Sequence, residues 1–453
     1  LRADWGEVMP PTLHLMVVGN PPFLGDNTRG ADQKVDLALS WGGDTVLSRM
    51  DYVTGWHAKT LELFARDGYG GQWAFVTTNS ITQGDQVPRL FAPIFGTGWQ
   101  IKFAHQTFAW SSEAGGAAAV HCVIVGFVQT DTAEKLSVEP RLFTYPRVKG
   151  DPIEVNVENG INAYLLDAAN VLVEKRSFML SPALNQTQYG SKPTDGGNLI
   201  VEPEDYKQFA ADPIAAKYLH PYVGARELLH GEDRWCLWLD GMNPADLSKS
   251  SLLRRRVEAV REFRAASKAA TTRDYPHHHL FRQLAKQEEP FVCVPRHVSE
   301  TRAFFTVARF NPDVIAGDAN FTILDPDGLQ FAAMSSSMFI TWQKAIGGRI
   351  KSDLRFASTL TWYTFPFPDI DDALREQIIT AGQYVLDVRE LHPGRSLADH
   401  YNPLAMAPKL LGAHAALDRV VDKAFGAKRP LRSNEERLQI LFERYAELNS
   451  MQA

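Results

Sequence analysis

The run Gly19-Asn20-Pro21-Pro22-Phe23 gathers residue types suited to one kind of chemistry. An exocyclic amino group on an aromatic ring is a poor nucleophile, because its lone pair is delocalised into the ring. Two acceptors that grip both hydrogens favour a more tetrahedral, more reactive nitrogen. The Asn20 amide oxygen and a backbone carbonyl held at Pro21 supply such a pair, and the proline rings at 21 and 22 fix φ and stiffen the loop. The Phe23 ring offers an extruded base a stacking surface, which offsets part of the lost duplex stacking. The chemistry that fits is transfer of a sulfonium methyl to N6 of adenine, a direct displacement that needs no strong general base. A Pro-Pro turn after a strand is also a common plain turn, and the motif alone leaves both readings open.

The motif must be positioned, and the flanking sequence says how. Leu13–Val18, Trp73–Thr78 and Ala119–Phe127 are apolar runs of strand length. Tyr52, Trp56, Leu63 and Phe64 mark a helix between the first two, and Gly68–Gly71 a turn. Strand, helix, strand predicts an α/β segment with a mainly parallel sheet, whose ligands bind at the carboxyl ends of the strands, where Asn20 stands. From Asp151 to Pro368 the pattern is α+β. It has a helix over Asn162–Lys175, a connection over Gln188–Gly197 and a basic helix over Leu252–Ala270, then short strands at Phe291–Pro295, Ala303–Phe310 and Phe321–Leu324. The remainder is helical, with apolar stripes at Leu374, Ile378, Val385 and Leu386 and at Leu438, Leu441, Phe442, Tyr445 and Leu448, and a break at Pro393-Gly394.

The 453 residues suffice for several domains, and no apolar run is long enough to cross a bilayer. Cys122, Cys236 and Cys293 lie far apart, which gives neither a disulfide framework nor zinc spacing and points to buried thiols in a reducing cytoplasm. The formal net charge of −6 conceals a basic middle, where Ser251–Phe310 holds twelve Lys/Arg against six Asp/Glu. Such a patch suits a nucleic-acid face as well as a solvated one. His277-His278-His279 reads as a polar loop and no metal site is expected, since consecutive residues splay apart. Asp325-Pro326-Asp327-Gly328 reads as a β-turn, and Gly115-Gly116 as a flexible loop. Trp235, Trp238, Trp342 and Trp362 read as core. The first residues carry no secretory signal and no initiator Met, so the chain reads as part of a longer one.

Gly19–Gly25 (GNPPFLG) resembles the catalytic motif of the MmeI-like type IIG restriction–modification enzymes. Further blocks resemble the same family: Phe75–Gly84, Phe103–Trp110, Ala119–Phe127, Gly347–Phe356, Phe365–Asp369 and Ala413–Asp422. The resemblance runs nearly end to end. It implies three parts: residues 1–150 as the later part of a class I S-adenosylmethionine-dependent methyltransferase, 151–369 as a target-recognition domain, and 370–453 as a helical C-terminal region. It implies a bacterial cytoplasmic enzyme that flips an adenine out of double-stranded DNA and methylates N6, with Asn20, Pro21, Pro22 and Phe23 catalytic. No glycine-rich loop for S-adenosylmethionine and no acidic/Lys nuclease cluster is found here, so the chain alone is expected to be inactive. A reading from another class is a non-catalytic DNA-specificity module of a phage-defence assembly.

Lys351 and Asp353 are two apart, so on an extended segment they share a face. A Lys donor suits guanine and a carboxylate suits cytosine N4, and the resemblance places a base-reading pair here. Together they are expected to read one G·C pair. Arg349 and Arg355, and Arg254 and Arg255 of the basic helix, are expected phosphate contacts. The helix, with Arg256, Arg261, Arg264 and Lys268, fits a solvated face equally well.

Overall fold

The computed structural model describes residues 1–26, 28–44, 47–110, 120–350 and 352–452. Its first unit is a six-stranded sheet of β1 (Leu15–Gly19), β2 (Gly71–Thr78), β3 (Trp99–Trp110), β4 (Val120–Gln129), β5 (Arg141–Thr144) and β6 (Ile153–Val155), in the order β1-β2-β4-β3-β5-β6. The β1·β2 and β3·β5 pairs are parallel, while β2·β4, β3·β4 and β5·β6 are antiparallel. The sheet is therefore mixed: β1, β2, β3 and β5 run in one direction, and β4 and β6 run against them. Between β5 and β6, residues 145–152 form no helix that would carry the chain back for a parallel pairing.

The long strand β3 and the helix α2 (Ala31–Ser40) were not foreseen. The expected helix is α3 (Thr54–Phe64), which with α4 (Gln86–Gly96) covers one face of the sheet. Trp73 and Phe75 of β2, Phe127 of β4 and Phe91 of α4 are buried beneath these helices. Gly71, φ +151°, lets β2 start against β1, since a Cβ there would stand 1.8 Å from the Leu15 carbonyl oxygen. On β1, Met16 and Val18 remain 73% and 75% exposed.

Three smaller sheets follow, built from β7 (Thr187–Tyr189), β8 (Ile200–Val201), β9 (Leu219–Val223), β10 (Trp235–Leu237), β11 (Phe291–Pro295), β12 (His297–Val298), β13 (Ala308–Phe310), β14 (Ile315–Ala316), β15 (Asn320–Leu324), β16 (Arg349–Ile350) and β17 (Asp353–Arg355). Their orders are β14-β9-β10-β8, β13-β11-β15-β7 and β12-β17-β16. Residues Asn162–Lys175 form no helix. The Asn162 side chain accepts from the Tyr164 and Leu166 backbone N–H groups at 3.0 and 3.1 Å, and Leu165 takes a φ of +56°. A side-chain amide competing for local N–H groups favours such a turn over a helix. Asp325–Gly328 is the entry to the helix Leu329–Ser335, where buried Asp325 accepts from Arg309 and from the Gln330 N–H. Trp342 and Trp362 are fully buried, Trp238 is buried and Trp235 half-buried.

The C-terminal helices Asp372–Glu390, Pro408–Ala424 and Asn434–Gln452 bury Ile378, Val385, Leu441, Phe442 and Tyr445 in the same core. Buried polar groups lock this region to the rest. Asp418 accepts from the Ser337 N–H and hydroxyl at 2.7 and 2.6 Å, and Asp422 pairs with Arg437 at 2.8 Å. Burial raises the Asp418 carboxyl to about 6. No helix among the described residues is long and apolar enough to cross a membrane.

Candidate active site and nucleic-acid interface

Asn20 follows the last residue of β1, which pairs with Phe75 of β2, so it stands at the carboxyl end of two parallel strands. Its side chain is exposed, and no partner for its amide is found among the described residues. Pro21 is buried and anchors the bend, whereas Pro22 is exposed. Phe23 is half-buried and packs against the core, so part of its ring is already committed to packing. The next turn is closed by Thr28, whose N–H and hydroxyl both donate to the Gly25 carbonyl, at 3.0 and 2.9 Å.

A brace behind this bend carries no obvious sequence signal. The Tyr52 N–H donates to the Leu24 carbonyl at 3.0 Å. Beside it the buried Asp51 carboxylate accepts from the Val53 N–H at 3.3 Å and from the Thr78 hydroxyl at 3.0 Å. The loop after β1 and the end of β2 are thus tied through two adjacent residues, the Tyr52 backbone and the Asp51 side chain. Below them His57 of α3 lies edge-on to Trp73, Phe75 and Phe127, with ring centroids 5.0, 5.1 and 6.2 Å away. Neither ring nitrogen has a partner, and burial pulls its pKa from 6.5 down to about 3.

Along the same sheet edge a cavity of about 280 Å³ opens between the first sheet and the second unit. Asn79, Gln106, Thr107 and His121 line one side, with Lys344 and Arg349 on the other. Two glycines fix this junction. The Gly84 N–H donates to the Ile346 carbonyl at 3.2 Å, and Gly84, at φ +62°, leaves only 3.3 Å between a built Cβ and the Gly348 Cα.

Gly348 leads into the hairpin β16–β17, where Ile350 pairs with Asp353. Lys351 itself lies outside the described residues, as do Gly115 and Gly116. Asp353 and Arg355 are exposed on β17, and Arg355 pairs across the sheet with exposed His297 of β12. Arg349 is held: its guanidinium pairs with Glu300 at 3.2 Å and donates to the Ser352 carbonyl at 3.2 Å.

The basic helix spans Ser251–Ala265, and its cations are largely engaged. Arg254 donates to the Leu247 and Ser248 carbonyls, Arg256 pairs with Asp205 at 2.6 Å, and Arg261 pairs with Glu258. Arg264 is fully buried and donates to the carbonyls of Pro193, Thr194, His277 and Leu280. Arg255 and Lys268 face solvent. Among the described residues no three His, Cys, Asp or Glu side chains come together to hold a metal, and Cys122, Cys236 and Cys293 are buried thiols. No Gly-x-Gly turn follows β1 or β2.

Comparison with known proteins agrees with this arrangement. Residues 1–139 match the family described as "MmeI, DNA-methyltransferase domain", residues 167–369 "MmeI, target recognition domain" and residues 370–452 "MmeI, C-terminal domain". "DNA methyltransferase A" of Bacillus subtilis (strain 168) is 32% identical over 452 residues, which are 99% of this chain and 50% of that protein. The solved "Structure of Type IIL restriction-modification enzyme MmeI in complex with DNA" is 33% identical with a TM-score of 0.82, covering 99% of this chain and 59% of that one. The chain thus spans between half and three-fifths of the length of these relatives. With all three of its domain types matched in order along the chain, the protein belongs to the MmeI family of restriction–modification DNA methyltransferases.

Proposed function

We propose that this chain is the part of a site-specific adenine-N6 DNA methyltransferase that grips the target base and reads the DNA, with S-adenosylmethionine as donor in the whole protein. The observation that carries the reading is the Asn20 side chain: exposed, uncommitted, and held on a bend anchored by buried Pro21 at the carboxyl end of β1. In that position its amide oxygen accepts one N6 hydrogen of an extruded adenine, while a backbone carbonyl at Pro21 accepts the other. The remaining part of the Phe23 ring stacks on the base. The order β1-β2-β4-β3, with β4 antiparallel among parallel neighbours, fits the later half of a class I methyltransferase sheet. The donor's glycine-rich loop is not among these residues, so the chain alone is inactive.

Asp353 and Lys351 are the base-reading pair, Asp353 from the exposed end of β17. Of the four proposed phosphate contacts, Arg255 and Arg355 are the exposed arginines without an acidic or carbonyl partner described above, whereas Arg254 and Arg349 would have to exchange partners to reach DNA. Long-read mapping of modified bases in cells expressing the full-length protein tests the reading. It should show N6-methyladenine at one short asymmetric sequence, and a methylome identical to that of cells lacking the protein would refute it.

A further inference from the structure

The cavity beside Lys344 has no role in the base-gripping or base-reading steps just described. Its place is specific: it opens on the sheet edge that carries Asn20, and its far wall belongs to the segment that leads into the Asp353 hairpin. The ends of β2, β4 and β3 that wall it lie one to three strand spacings of about 4.8 Å from β1, so the cavity spans roughly 5 to 14 Å along that edge, or about one to four base-pair rises of ~3.4 Å. The cavity mouth thus lies between the element that carries Asn20 and the element that carries Asp353.

The lining is that of an anion site. The Lys344 ammonium donates to one acceptor, the Arg302 carbonyl at 3.0 Å, and no carboxylate lies within 4 Å of it among the described residues. Glu300, the acid at this wall, is engaged by Arg349. Burial and the nearby Arg349 guanidinium lower the Lys344 pKa and Glu300 offsets only part of this, so an incoming anion would favour the charged ammonium. Opposite stand the Gln106 amide, which donates one N–H to the Leu165 carbonyl at 2.7 Å, and the Asn79 amide, which donates one to the Thr107 hydroxyl at 3.5 Å, so that each keeps a second N–H for a ligand. An ammonium with spare hydrogens facing amide donors suits a phosphodiester oxygen.

We propose that this cleft seats one backbone phosphate of the bound DNA, held by Lys344, within about four nucleotides of the target adenine. The inference rests on the DNA-reading function proposed above. Lys344 is a positioning residue, which fixes the register of the duplex between the gripping bend and the reading hairpin without reading a base.

The test is the salt dependence of specific binding by the full-length protein. One lost phosphate contact reduces the slope of log K against log salt by about 0.9 and weakens binding about tenfold near 50 mM salt. Lys344→Gln should show both, Lys344→Arg should keep the parent slope, and a neutral methylphosphonate at a single position should weaken the parent but not Lys344→Gln. An unchanged slope in Lys344→Gln, with only a lower melting temperature, would overturn the inference and leave Lys344 as a tether for the Arg302 carbonyl. A parent protein that binds no DNA site would overturn the underlying function as well.

Discussion

His57 is buried against Trp73 and Phe75 of β2, the strand beside the Asn20 bend, and its titration has a calculable cost. Held neutral in the fold with a pKa of about 3 against the ordinary 6.5, it binds fewer protons than the same residue in the unfolded chain at every pH between those values. Stability therefore rises with pH in this window: it is full above about 6.5 and is lost progressively as pH falls toward 3. Between pH 7 and pH 5 the loss from this residue alone is about 2 kcal/mol. His414, also held near 3 by burial, adds a similar loss. His57→Leu replaces the imidazole with an apolar group of similar size in a good helix former, and takes two unpartnered nitrogens out of the core. Urea unfolding at pH 7 and pH 5 should show the wild type losing about 2 kcal/mol more than the variant. Equal losses in the two proteins would mean that His57 is charged or solvated in the fold, and the reasoning would fail.

Three further outcomes follow from other contacts. Arg437→Met leaves the buried Asp422 carboxylate unpaired and should cost about 3–5 kcal/mol, most of it recovered by adding Asp422→Leu, as measured by chemical denaturation. Gly84→Ala forces an L side chain into a left-handed backbone against Gly348 and should cost about 1–2 kcal/mol, read as a lower melting temperature together with weaker specific DNA binding. Exchanging the charges of the proposed reading pair, Lys351→Asp with Asp353→Lys, should change one position of the methylated sequence in a methylome map, whereas uniform weakening at all sequences would make these residues phosphate contacts.

Much of this architecture was legible in the chain because its signals are local. The strand before Asn20, the α3 helix and the C-terminal apolar stripes follow from periodicity, and the motif blocks pointed to the family. Features set by long-range packing were not legible. The antiparallel placement of β4 depends on a strand, β3, whose alternation is blurred by a register shift between Ile101 and Phe103. The expected helix at Asn162 loses to side-chain capture of its own backbone. Arg264 looks like a surface cation in the sequence yet is fully buried among four carbonyls, and Arg349, expected at a phosphate, is paired with Glu300. The brace from Asp51 to Thr78 joins residues 27 apart, and neither residue type announces it.

The central claim is that the Asn20 amide grips the target amino group, and it is tested most directly by Asn20→Ala in the full-length protein. Methyl incorporation into duplex DNA carrying the recognised site should disappear, while the affinity for that duplex stays within a few-fold of the parent. Methylation at the parental rate by Asn20→Ala would contradict the account.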